Sequence, residues 1–330
     1  MARDSDSHGW AVRELTRRDL LLGAASATGL GAVACASSDS GAAPAAAAGG
    51  AAQVVTKGRI RQSLVAWTYT AFGDKWDLSG LIKAAKALGV PALDLLGPEA
   101  WPAMRQAGLV CSVAVNGMPA PPYRKGLNNP RYQPEVIERT RRRISECSAA
   151  KVPAVIAFTG FKWRDAEDPA SGEIQADEGK AETVRGLKAL AKDAERHNVT
   201  IVLEHLNSRV AGDDFRGHPG YQGDRIDYCA DIIRQVGSSH VKLLFDLYHV
   251  QIMDGDLIAR IKEYGTDLIG HVHTAGVPGR RELDDSQEMQ YAPLMKALLD
   301  VGYAGYVGQE FIPTRDAMDG LRQAVTLCDV

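Results

Sequence analysis

Four polar side chains close four successive apolar runs in the second half of this 330-residue chain. Glu204 ends Thr200-Ile201-Val202-Leu203-Glu204, Asp246 ends the run from Val241, His273 ends the run from Leu268, and Glu310 ends the run from Gly305. Three carboxylates and one imidazole make a hard, oxygen-rich ligand shell. Such a shell suits Mn²⁺ or Mg²⁺, with Co²⁺, Fe²⁺ or Zn²⁺ as alternatives, whereas a structural zinc site favours thiolates. Brought together in a protein interior, the three acids repel one another, and a divalent cation supplies the compensation. Any single acid at such a position could instead cap a strand or a helix. Four in succession, each one unit from the last, argue for one shared site.

The elements that must position them follow from period. From Arg59 onward, short β-rich runs alternate with longer helical patterns, the signature of βα units around a parallel sheet. Strands are expected at Ile60–Trp67, Ala92–Leu96, Leu109–Val115, Ala154–Phe158, Thr200–Glu204, Val241–Asp246, Leu268–His273 and Gly305–Glu310. Helices are expected at Leu78–Leu88, Pro134–Ala150, Asp177–His197, Ile226–Val236, Leu257–Tyr264, Tyr291–Val301 and Asp316–Leu327. Eight repeats in one domain, residues 59–330, fit a (β/α)₈ TIM barrel of roughly 250 residues. The rival, a doubly wound sheet, normally carries a Gly-rich fingerprint after its first strand, and Ala66-Trp67-Thr68-Tyr69 has none. In a barrel the active site lies at the C-terminal strand ends, where the four ligands stand.

The same segments resemble a known family. Phe245-Asp246-Leu247-Tyr248-His249-Val250-Gln251-Ile252-Met253-Asp254-Gly255-Asp256, Ile269-Gly270-His271-Val272-His273, Pro278-Gly279-Arg280, Leu203-Glu204-His205-Leu206-Asn207 and Val307-Gly308-Gln309-Glu310 are similar to hallmark stretches of the hydroxypyruvate isomerases. These belong to the xylose-isomerase-like superfamily of sugar isomerases and epimerases. The resemblance covers about residues 200–313 closely and the first half in outline. It implies that Glu204, Asp246, His273 and Glu310 bind the metal and that Glu204 and Glu310 double as acid/base groups. It also implies that His249 and Arg280 contact substrate oxygens. His273 stands where hydroxypyruvate isomerases often carry Gln and ketose 3-epimerases carry His.

The chemistry so implied moves a carbonyl along a sugar, or inverts the carbon beside it, through a metal-stabilised enediolate. A carboxylate near the metal takes the carbon-bound proton. The expected substrate is a ketose, keto-sugar or hydroxypyruvate-like small molecule. Two other readings share the site: a lyase or dehydratase of a keto-sugar or keto-inositol, and an exported sugar-binding lipoprotein without turnover. Intact Glu204 and Glu310 argue against the pure binder. His271, two residues before His273, is expected one layer deeper in the barrel rather than among the ligands. Trp67, Tyr69, Trp101, Asn116 and Trp163 fall near strand ends, and aromatics there are as often packing as recognition.

Composition bounds the rest. With 45% hydrophobic residues and a formal charge of −3, the chain can bury a full core and lacks the basic stripe a nucleic-acid surface needs. That also speaks against a zinc endonuclease related to endonuclease IV, and no nucleic-acid partner is expected. Arg141-Arg142-Arg143 reads as a solvated helix face. Thr16-Arg17-Arg18-Asp19-Leu20-Leu21-Leu22 and the Ala/Gly stretch after it resemble a twin-arginine signal, residues 1–35, recognised by that export machinery. The small residues before Cys35 resemble a bacterial lipobox, so the expected location is periplasmic or membrane-anchored. Residues 36–58 are expected to form a flexible leader. Cys111, Cys147, Cys229 and Cys328 fit no C-x-x-C pattern, and no structural disulfide is expected.

Overall fold

Strand and helix alternate through the chain, which the computed structural model describes over residues 54–213 and 215–330. Arg17-Arg18, Cys35 and the Ala/Gly/Ser-rich stretch lie outside the described residues, and so do the expectations attached to them. The first strands are β1 (Arg61–Val65), β2 (Ala92–Asp94), β3 (Val110–Cys111) and β4 (Ala154–Phe158). A hairpin of β5 (Trp163–Asp165) and β6 (Asp168–Glu173) follows, then β7 (Thr200–Glu204), β8 (Val241–Asp246), β9 (Ile269–Thr274) and β10 (Tyr306–Gln309). All but the hairpin form one parallel sheet in the order β3-β2-β1-β10-β9-β8-β7-β4. Ala114, just past β3, bridges both Leu96 and Val155. Its N–H donates to Ala154 O at 2.9 Å and its carbonyl accepts from Ile156 N–H at 3.0 Å. These bonds join the two sheet edges and close the barrel.

Ten helices wrap or follow the strands: α1 (Ala66–Ala71), α2 (Leu78–Leu88), α3 (Trp101–Gln106), α4 (Gln133–Ala150), α5 (Ala176–His197), α6 (Ile226–Val236), α7 (Leu247–Met253), α8 (Leu257–Leu268), α9 (Tyr291–Asp300) and α10 (Ala317–Cys328) among the described residues. Helix α2 shows how local sequence sets them. Leu81, Ala84, Ala85 and Leu88 lie at helical spacing and are its buried residues. Asp77 caps it by accepting from Gly80 N–H at 2.7 Å, and Gly89 ends it in the left-handed region at φ 75°. Strand β4 is buried along its whole length, and β8 at every position but Lys242, so they read as nearly continuous apolar runs.

The structure departs from the expected elements in several places, among them the unexpected short helix α3 and a β3 of only two residues. The first strand stops at Val65, because the chain turns straight into α1 and carries Trp67 with it. Likewise α7 begins at Leu247, directly after β8, with Asp246 as its cap. Hairpin β5–β6 went unexpected because Asp168-Pro169-Ala170-Ser171-Gly172-Glu173 is mostly exposed and has no apolar alternation. The leader was expected to extend to residue 58, yet Val54 and Val55 pack on the core. The N–H groups of Thr56, Lys57 and Gly58 all donate to the Asp329 carboxylate, at 2.7–2.8 Å.

Arg141 and Arg142 pair with Asp193 and Glu138 on the helical surface, as a solvated face should, whereas Arg143, beside Glu146, is largely buried and lies over the Trp101 ring. Cys111, Cys147, Cys229 and Cys328 are buried free thiols. No described helix is long and apolar enough to cross a membrane.

Candidate metal centre

Adjacent strands deliver the four expected ligands to one place. Asp246, the last residue of β8, pairs in register with His273 on β9, and His273 pairs with Gly308 two residues before Glu310. Glu204 ends β7 beside Leu244. Ligand atoms of Glu204, Asp246, His273 and Glu310 all lie within 4.8 Å of one another, and all four residues are buried. His273 Nδ1 stands 3.0 Å from Glu310 Oε2 and 3.7 Å from Glu204 Oε1.

Arg280 reaches into the same cluster. Its Nη2 lies 2.5 Å from Glu310 Oε2 and 3.3 Å from Asp246 Oδ2. The residue is only 3% exposed and takes a left-handed backbone conformation at φ 54°. Nη1 donates to Phe215 O at 2.8 Å, and the guanidinium lies over the rings of Trp67 and Tyr248. Arg280 is therefore a built part of the site rather than a solvated loop residue.

Arg280 and His273 together do not balance three buried carboxylates. Burial pushes the Asp246 carboxyl up to about 7, against the pull of Arg280. Burial also raises Glu204, which His273 only partly offsets. Burial acts the same way on Glu310, but there Arg280 and His273 outweigh it and hold the carboxyl below its usual range. His273 is held well above the ordinary imidazole range, the neighbouring Glu310 overcoming the burial penalty. Glu204 Oε1 and both ring nitrogens of His273 are buried without a hydrogen-bond partner. Unsatisfied lone pairs on that donor set, with excess negative charge, fit a divalent cation.

His249 sits on the first turn of α7, three residues after Asp246. Its Nδ1 accepts from Asn207 N–H at 3.0 Å, which places the ring proton on Nε2, 3.4 Å from Asp246 Oδ2. That N–H can be offered to a substrate oxygen. His271 is not among the four: its Nε2 donates to Asp94 Oδ2 at 2.8 Å, one layer below.

Several contributing residues escaped the sequence reading. Trp67 Nε1–H donates to Glu310 Oε1 at 2.7 Å, and its ring stacks on Phe215. Tyr221 donates its hydroxyl to Glu204 O at 2.8 Å and so ties down the end of β7. His218, pushed down to about 3 by burial and hence neutral, adjoins His249 at 5.7 Å between ring centroids. Asp94 meets His273 from beneath. Of the five residues set aside near strand ends, Trp101 bonds Leu96 O, Asn116 closes a turn onto Met118, and Tyr69 bonds Gln309 O. Trp163 belongs to the hairpin. The signal that could have found Trp67 is its place in the turn after the first strand.

Comparison with known proteins bears out the barrel fold. Residues 82–327 match the family described as the xylose isomerase-like TIM barrel, which extends the likeness into the first half of the barrel. A human protein provisionally named hydroxypyruvate isomerase is 30% identical over 257 residues, covering 74% of this chain and 88% of its own length. The mouse protein of the same name is 36% identical over 155 residues, 46% of this chain and only 53% of its own length. Among solved structures, 3-keto-D-glucoside 4-epimerase from E. coli superposes with a TM-score of 0.64 at 18% identity, covering 81% of this chain and 99% of that one. At that identity the likeness is one of fold.

Proposed function

The chain belongs to the xylose isomerase-like TIM-barrel family, and on that premise we propose a divalent-metal-dependent isomerase or epimerase acting on a ketose, keto-sugar or hydroxypyruvate-like substrate. The observation that carries this reading is the buried cluster of Glu204, Asp246, His273 and Glu310, in which two of the ligands are glutamates on non-adjacent strands.

A bound Mn²⁺ or Mg²⁺ would supply Lewis acidity, making the carbon beside a substrate carbonyl acidic enough to lose its proton. The rest falls to side chains. Glu310 accepts hydrogen bonds from Trp67 and Arg280 and stays ionised, so it is the group placed to take a proton. Glu204 has no such donors and is raised, so it is the group placed to hold and return one. His249 Nε2–H and the Arg280 guanidinium, with the neutral His218 ring behind, orient substrate oxygens.

The test is solvent exchange. Protein reconstituted with Mn²⁺ or Mg²⁺ should wash deuterium from D₂O into the carbon next to the carbonyl of a ketose, hydroxypyruvate or a 3-keto-glycoside. Conversion to an isomer or epimer should accompany the exchange. Metal-loaded protein that exchanges none of them would contradict the proposal, and loss of a β-leaving group would redirect it to a lyase.

A further inference from the structure

Beneath the four ligands lies a second buried group that proton transfer does not use: Asp94 on β2, with Ser63, His271 and His273 around it. We infer that Asp94 is the positioning residue for His273, holding the Nε2 side of the ring so that Nδ1 is presented to the three carboxylates. The inference rests on reading Glu204, Asp246, His273 and Glu310 as a metal site.

One oxygen, Asp94 Oδ2, accepts from Ser63 Oγ at 2.9 Å and from His271 Nε2 at 2.8 Å, and stands 3.3 Å from His273 Nε2, an ion-pair contact outside hydrogen-bond geometry. A carboxylate oxygen so surrounded acts as an acceptor, so each facing imidazole nitrogen must carry its proton. For His273 that leaves Nδ1, on the opposite side of the ring, as the atom with a lone pair for an ion. Asp94 and His273 come from strands on opposite sides of β1 and β10, and both are fully buried. A carboxylate behind a ligating histidine fixes its tautomer and orientation and raises its basicity.

The surroundings are shaped to this contact. Gly308 on β10 lies against the pair: a methyl there would come within 2.4 Å of Asp94 Oδ2 and 2.8 Å of His273 Cδ2. Only a hydrogen leaves room. Leu95, next to Asp94, is left-handed at φ 56°, a strained conformation for a non-glycine residue and one that collects at functional positions. Its N–H is anchored to Val113 O at 2.8 Å.

The experiment compares Mn²⁺ binding, by electron paramagnetic resonance, in wild type, Asp94→Asn and Gly308→Ala. Circular dichroism checks the fold of each, and ¹H–¹⁵N spectra follow the His273 Nε2–H. Wild type should bind one Mn²⁺ and show a downfield, slowly exchanging Nε2–H. Asp94→Asn should bind about 10–100-fold more weakly and lose that resonance. Gly308→Ala keeps every polar group but crowds the pair, and should weaken binding in the same direction. Equal affinity in wild type and folded Asp94→Asn, or no such resonance in wild type, would overturn the role of Asp94 alone. Failure of wild type itself to bind Mn²⁺ would overturn the metal reading and the inference together.

Discussion

Strands β7–β10 and strands β1–β4 contribute four staves each to one ring, yet they bring different chemistry to its C-terminal mouth. The second half brings four groups with lone pairs for a cation: Glu204, Asp246, His273 and Glu310. The first half brings groups that aim them, with Trp67 donating to Glu310 and Asp94 facing His273. The ligands are thus concentrated on one side, with Arg280 and Tyr221 supporting them there, while Trp67 and Asp94 reach them from the other. The difference teaches that an ion site in a barrel is a property of the closed ring, although its ligands fall in one stretch of sequence.

Removing a ligand from the second half should break the site outright. Asp246→Ala takes away one carboxylate and the cap on α7, where Asp246 accepts from Tyr248 N–H at 2.8 Å. Metal affinity should fall by more than the roughly 10–100-fold that outer partners cost, and stability by about 1 kcal/mol for the lost cap. Metal content after dialysis and a melting curve check the two effects separately. Glu310→Gln keeps an oxygen for the ion but cannot accept a proton. Its kcat should drop about 10²–10⁴-fold while bound metal persists. Near-normal solvent exchange in this variant would move the base to another residue.

Proton competition gives an effect of intermediate size. Burial holds the Asp246 carboxyl up to about 7 in the metal-free protein, and only its ionised form binds a cation. As pH falls through about 7, apparent affinity should decline more steeply than it does above 7, where the raised His273 proton still competes with the cation. Calorimetry in buffers of different ionisation enthalpy should show more protons released on binding near pH 6 than at pH 8. A flat profile would mean that Asp246 is not a ligand.

The first half should answer more gently. Trp67→Phe removes the indole N–H from Glu310 but keeps an aromatic ring beside Phe215. A loss of about 1.5 kcal/mol for a hydrogen bond to a charged group predicts roughly tenfold lower kcat/KM, with metal still bound. Smallest of all should be the effect on the barrel of replacing Arg17 and Arg18 by lysine. We propose that these arginines direct export of folded, metal-loaded protein. The variant should match wild type in activity and metal content but remain inside the cell, as fractionation would reveal. Equal export would show that the leader serves another route.

What was legible in sequence follows the same division. Glu204, Asp246, His273 and Glu310 could be found because each ends an apolar run, and barrel geometry makes run ends converge. Asp94 also interrupts apolar residues, in Ala92-Leu93-Asp94-Leu95-Leu96, but inside the expected strand. Nothing local marks its partner 179 residues away on β9. Trp67 was passed over because an aromatic at a strand end is ambiguous until α1 turns it toward Glu310. The docking of residues 56–58 depends on Asp329, an acceptor at the far end of the chain. The β5–β6 hairpin is set by backbone pairing between exposed polar residues, so hydrophobic period is silent about it.

The most direct test of the central claim is anomalous diffraction at the manganese edge from crystals grown with Mn²⁺. One peak is predicted, about 2.0–2.3 Å from carboxylate oxygens of Glu204, Asp246 and Glu310 and from His273 Nδ1. No peak among these four side chains, or Mn²⁺ bound only elsewhere, would contradict the account.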